Sequence, residues 1–208
     1  MALQLPRFVL KELNLFISKS SCYNEECYRK CLVNTFFVGK GLIMATNRIV
    51  DAFIEIPTGS QNKYEYDKEE GVFRLDRVLY SPMHYPAEYG YLKNTLAEDG
   101  DPLDILVLTT FPTFPGCVIR SRVIGVLIMS DDKGQDEKLL AVPVDDPRFN
   151  EVNTLDDVPS HILREIEHFF KVYKDLENKQ TQIIGWEGVE KANQLIDDAL
   201  ARYEQSQG

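Results

Sequence analysis

The order of hydrophobic periods constrains this chain most. From about residue 50 to residue 144, β-branched and aromatic residues come in short runs separated by Gly, Pro and Asp signals, and only after Pro159 does a helical spacing begin. The runs predict strands at about 50 to 56, 63 to 67, 72 to 80, 104 to 110, 117 to 128 and 138 to 144. Gly71 after Glu69-Glu70 and Gly134 after Asp132-Lys133 mark two hairpin turns. Phe111-Pro112-Thr113-Phe114-Pro115-Gly116 cannot continue a strand and predicts a connection. Ile162, Ile166, Phe169, Phe170 and Tyr173 then recur at three and four, and a second helix is expected from about 187 to 204. Strands first and helices last give an α+β domain. The expectation is a small closed five-stranded β-barrel, OB-like, with additional strands and two main C-terminal helices packed outside.

Residues 1 to 43 stand apart. They hold six Lys or Arg against three acids, whereas residues 44 to 208 hold seventeen against thirty. Cys22, Cys27 and Cys31 also fall in the first part, leaving Cys117 alone in the remainder, so a disulfide framework is not expected for the core. With no His beside them, the three cysteines read as reduced thiols rather than as a zinc site. The organisation expected is an N-terminal extension over 1–43, disordered or not naturally translated, followed by one domain over 44–208. Gly39-Lys40-Gly41 shortly before Met44 suits the second alternative, since its codons are purine-rich like a ribosome-binding site. A transit peptide is the remaining reading: the positive charge and the serines favour it, and Glu12, Glu25 and Glu26 oppose it.

A net charge of −10 argues against nucleic acid, whose binders need a basic surface. No apolar run is long enough for a membrane-spanning helix. An acidic protein that handles phosphate must offset the repulsion, and cations held by carboxylates do so.

Three carboxylates, Asp99, Asp101 and Asp104, lie within six residues and lead into the apolar strand Ile105 to Leu108. Convergent carboxylates about 4 Å apart repel by roughly 4 kcal/mol at an effective dielectric of 20, so they require cations or protons. Asp131, Asp132 and Asp136 form a second acidic run between two long strands. Each run alone also reads as a solvated turn. Together they could meet at one barrel mouth, where oxygen donors without His or Cys suit magnesium or manganese. In Lys63-Tyr64-Glu65 the strand period puts Lys63 and Glu65 on one face, which is either solvent or a polar cavity. Tyr85, Tyr89 and Tyr91 crowd one segment and could donate to phosphate or fill a core.

Taken together, Ile54-Glu55-Ile56-Pro57, Lys63-Tyr64-Glu65, Asp76-Arg77, Tyr85-Pro86, Tyr89-Gly90-Tyr91, Asp99 through Asp104, Asp131 through Lys138 and Tyr173-Lys174-Asp175-Leu176-Glu177 resemble the family I soluble inorganic pyrophosphatases, over about residues 49 to 190. The resemblance is to the small bacterial or plant-type subunit. It implies hydrolysis of pyrophosphate, presented as its magnesium complex, to two orthophosphates. It implies Asp99, Asp104 and Asp136 as ligands of the tightest Mg2+, with Asp104 also reaching a second ion. Asp131, Asp136 and the nearby Asp132 resemble ligands of ions that arrive with substrate, and Glu55 and Glu65 line the same cavity. Asp101 resembles the general base, Tyr89 contacts the catalytic centre, and Lys63, Arg77, Lys138, Tyr173 and Lys174 match positions that hold the phosphoryl groups. The resemblance further implies a homohexamer and a cytoplasmic location, or an organelle if residues 1–43 are a transit peptide. Asp132 departs from the pattern, standing where many relatives carry Glu.

Other readings fit less. A haloacid-dehalogenase phosphatase would put its aspartate after a strand rather than before it. A prenyl-diphosphate synthase would be helical throughout. An EF-hand counted from Asp99 would need Gly at position 104 and Glu at 110, where Asp and Thr stand.

Overall fold

In the computed structural model, residues 46–132 and 134–208 are described. The readings made for residues 1–43 lie outside them. The strands are β1 (Ile49–Ile56), β2 (Asn62–Asp67), β3 (Val72–Val78), β4 (Glu88–Leu92), β5 (Asp104–Val107), β6 (Val118–Asp131), the short β7 (Gly134–Gln135), β8 (Lys138–Pro143) and β9 (Gln182–Glu187), of which β4, β7 and β9 lie outside the predicted runs. The helices are α1 (Ser160–Val172) and α2 (Val189–Ser206).

Strands β1, β4, β5, β8 and β6 hydrogen-bond in that order, and β6 returns to β1, closing a five-stranded barrel. The β5–β8 pair is parallel and the other four are antiparallel. Closure removes the unpaired edges that an open sheet would expose. Strand β9 adds to β6, while β2 and β3 form a separate two-stranded sheet. The central strands read as unbroken apolar runs because both of their faces are covered. Leu106, Leu140 and Val142 pack with α1, and Ile105, Val107, Leu139 and Ala141 pack with α2.

Pro159 precedes the first residue of α1, and the helical spacing buries Ile166, Phe169 and Phe170 against the strands of the sheet. Each such burial stabilises the docked helix by roughly 2 kcal/mol. In α2, Ala192, Leu195, Ile196 and Ala199 do the same with smaller side chains. No helix among the described residues is long and apolar enough to cross a membrane.

Two strands escape a reading of local pattern. Pro86 and Gly90 disguise β4, yet Gly90 is required there: a Cβ would stand 1.9 Å from the Phe53 carbonyl oxygen on β1. Strand β9 is short, contains Gly185 and borrows its partner from β6, so its own sequence carries little signal. Strands β3 and β5 end two to three residues before the predicted limits.

Not every acid belongs to a site. Glu88 is wholly buried, and its carboxylate accepts the Thr58 N–H at 3.1 Å, the Thr113 N–H at 3.0 Å and the Thr113 hydroxyl. It fastens two loops to β4.

Candidate active site

Two β-bulges aim the first group of side chains. The β1–β4 register slips between Ile54 and Ile56, leaving Glu55 as the extra residue, and its carboxylate accepts the Tyr66 N–H at 2.8 Å. On β3 the slip falls between the partners of Lys63 and Tyr64, so that Asp76 is extra. Neighbours on a regular strand face opposite ways. Here Asp76 and Arg77 both line one cavity, together with Lys63 and Glu65 from β2. Lys63 pairs with Glu65 and lies 3.2 Å from Asp76, and Arg77 Nη1 donates to Asp76 at 2.5 Å.

The second group enters with β5. Before it, Gly100 takes a φ of 91°, a value favouring glycine, and the Asp101 N–H donates to Asp99 Oδ1 at 3.0 Å. Leu103 anchors the turn: it is buried, and its N–H donates to the buried Thr95 hydroxyl at 2.9 Å. Asp101 stays exposed, whereas Asp104, the first residue of β5, reaches the cavity floor with 23% of its side chain open. Tyr89 donates its hydroxyl to Asp104 Oδ2 at 2.5 Å.

Parallel pairing brings the third group. Asp104 lies in register with Lys138, whose side chain is only 2% exposed and whose ammonium donates to Asp104 at 2.5 Å and to Asp136. At the end of α1, Tyr173 is buried, and Lys174 donates to Asp131 at 2.8 Å.

The result is one cavity of about 500 Å³. It gathers Glu55, Lys63, Glu65, Arg77, Tyr89, Tyr91, Asp99, Asp101, Asp104, Asp131, Asp136, Lys138, Tyr173 and Lys174, whereas Tyr85 is buried in the core and does not line it. Asp132 is exposed on the β6–β7 turn and does not line it. Sequence reasoning missed Tyr66, Lys68, Asp76 and Lys179 as lining residues. Asp76 depends on the bulge, and isolated lysines carry no local signal.

Burial shapes the protonation states. It raises the Tyr89 hydroxyl well above its ordinary value, with Asp104 adding to the effect, so Tyr89 stays a donor. Burial alone would lower Lys138, but Asp104 and Asp136 overcome it and raise the ammonium, which stays charged. Burial raises the carboxyls of Asp99 and Asp104.

Burial also raises Glu55 from 4.5 to about 7, against the pull of the Tyr66 hydrogen bond. Between those two values the folded chain keeps a proton that the unfolded chain has lost, so this group's contribution to stability falls as pH rises. In metal-free protein, Glu55→Gln is expected to flatten that decline. Thermal melts at about pH 5 and pH 7.5 check it, and an unchanged slope in the variant rules it out.

The donor set suits a hard divalent cation. Among the described residues, carboxylates and tyrosines line the cavity and no His or Cys does. Among the described residues no three His, Cys, Asp or Glu side chains already converge on one point, and the Lys138 ammonium pairs with both Asp104 and Asp136.

The inorganic pyrophosphatase family model matches residues 52–204, which include the barrel from Ala52 onward and every residue of this cavity. The chain belongs to the inorganic pyrophosphatase family. The inorganic pyrophosphatase of Geobacillus stearothermophilus is 69% identical over 76% of this chain and 95% of its own length. The inorganic pyrophosphatase of Methanosarcina acetivorans is 54% identical over 78% of this chain and 96% of its own. Among solved structures, the inorganic pyrophosphatase from Thermus thermophilus matches with a TM-score of 0.74 at 42% identity, covering 80% of this chain and 97% of that one.

Proposed function

We propose that this inorganic diphosphatase binds pyrophosphate, as its magnesium complex, in the cavity and splits it by direct attack of water, with Asp101 as the general base. The observation that carries this reading is the interleaving of Lys63, Arg77, Lys138 and Lys174 with carboxylates in a single cavity. A purely acidic pocket would hold metal and repel the substrate; a purely basic one would hold phosphate and have nothing for the metal.

Asp99, Asp104 and Asp136 would hold the tightest ion, and Asp131, Glu55 and Glu65 the ions that accompany substrate. When bound, magnesium acidifies water and neutralises phosphate charge. Lys63, Arg77, Tyr173 and Lys174 orient the two phosphoryl groups, since positioning and charge stabilisation are most of what phosphoryl transfer needs. Asp101 takes the proton of the attacking water. It lines the cavity and is exposed to solvent, so a proton it takes can pass on to water. The P–O bond to the leaving phosphate breaks as the new one forms, and Lys138 at the cavity floor stabilises the charge released. Asp132, outside the lining, has no role in this scheme.

The proposal extends to a homo-oligomer, the homohexamer of the resemblance. Phe111 and Phe114, 71% and 65% exposed in the β5–β6 connection, support an assembly that covers them. The cytoplasmic location rests on the resemblance alone.

Purified protein supplied with magnesium should release orthophosphate from pyrophosphate. A folded protein that binds magnesium and pyrophosphate yet releases none would leave only a binding function.

A further inference from the structure

The turn that follows α1 carries a buried carboxylate with no place in the scheme above. Residues Asp175–Glu177 form a single 3-10 turn, ended by Asn178 in the left-handed region at φ 57°. The Glu177 N–H donates to the Lys174 carbonyl at 2.9 Å, closing the turn that joins Lys174 to Glu177. The Glu177 side chain is only 7% exposed and does not line the cavity. Its Oε1 accepts Arg77 Nε at 2.9 Å, and its Oε2 lies 3.7 Å from the Lys179 ammonium.

Arg77 comes from β3, a hundred residues earlier, in the small sheet that lies outside the barrel. Glu177 therefore ties the hairpin bearing Lys63, Asp76 and Arg77 to the turn that follows Tyr173 and Lys174. With Nε held by Glu177 and Nη1 by Asp76, the guanidinium plane is fixed from two sides. Two carboxylates on one guanidinium weaken its pull on an anion, so the benefit of the clamp is geometric rather than electrostatic.

We propose that Glu177 is a positioning residue: it acts through Arg77, setting the plane and reach of the guanidinium that meets a phosphoryl group. The inference rests on the reading of Arg77 as a substrate donor, and the test separates the two. Arg77→Ala should raise KM for pyrophosphate by at least tenfold. Glu177→Ala should raise KM on the order of tenfold with kcat changed less than about threefold, and should add nothing in the Arg77→Ala background. Glu177→Gln keeps an oxygen to accept Nε and should restore KM to near the native value. Glu177→Asp keeps the charge but pulls it back by one methylene, and should raise KM even if the alanine variant fails to fold. A merely structural role would lower the melting temperature and the active fraction in these variants without moving KM. If Arg77→Ala leaves KM unchanged, the reading of Arg77 fails and the inference falls with it. If Arg77→Ala raises KM while Glu177→Ala and Glu177→Asp do not, or if Glu177→Gln is as impaired as alanine, Glu177 does not position Arg77.

Discussion

Asp101→Asn should lower phosphate release about a thousandfold while the protein melts within a few degrees of the native one. The rate expectation follows from the weight of a general base, worth roughly 10² to 10⁴ in turnover. The amide keeps the size and shape of the carboxylate but cannot take the proton. The stability expectation follows from position: Asp101 is exposed, and the backbone bonds of its loop, from the Ala97 N–H to the Asp101 carbonyl at 2.7 Å and from the Asp101 N–H to Asp99, are kept in the variant. Surface changes of this kind usually cost under about 0.5 kcal/mol. KM for pyrophosphate should hardly move, because Asp101 does not hold substrate in this scheme. Activity within threefold of native in the purified variant would remove Asp101 from the base role.

Lys138→Met should damage both stability and turnover. Lys138 is among the largest fully buried side chains of the fold, and its ammonium donates to Asp104 and Asp136 together. Methionine fills much of the same volume without charge or donor, leaving two carboxylates facing each other on the cavity floor. Breaking a buried ion pair from one side costs about 3–5 kcal/mol, and for a chain of this size that corresponds to a fall of about 10 °C in melting temperature in chelator. Magnesium should recover part of the loss, and more of it than in the native protein, because a cation can neutralise the exposed pair. Turnover in magnesium should still fall by at least a hundredfold, since a fixed positive charge near the leaving phosphate is gone. A variant that melts like the native protein in chelator would show that the Lys138 contacts carry no net stability.

How much of this could be read in advance differs from residue to residue. Lys63 and Glu65 share a face because the strand period is two, and that period is a property of the backbone alone. Asp104 opens an apolar strand, so its place at a barrel end follows from the run Ile105 to Val107 behind it. The switch to helical spacing after Pro159 likewise gave α1 its buried face. Asp76 was hidden by a bulge that shifts the register of β3 by one residue and turns its side chain to the other face. Glu177 was hidden because a single acid beside a helix end reads as solvated, and only its partner a hundred residues away makes it a clamp.

The sequence by itself determined the types of chemistry available: two runs of carboxylates, scattered bases, no His or Cys beside them, and an order of periods that selects a β domain with late helices. Those are local properties, set by residue type and spacing. What only the tertiary structure decided is which of these groups meet. Parallel pairing of β5 with β8 puts Asp104 against Lys138, and Lys138 then bridges to Asp136; Arg77 meets Glu177; and Asp132, inside an acidic run, is left out of the cavity. Contacts between residues distant in the chain depend on strand register, on bulges and on barrel closure. Each is settled by packing the whole core at once rather than by any short stretch of the chain.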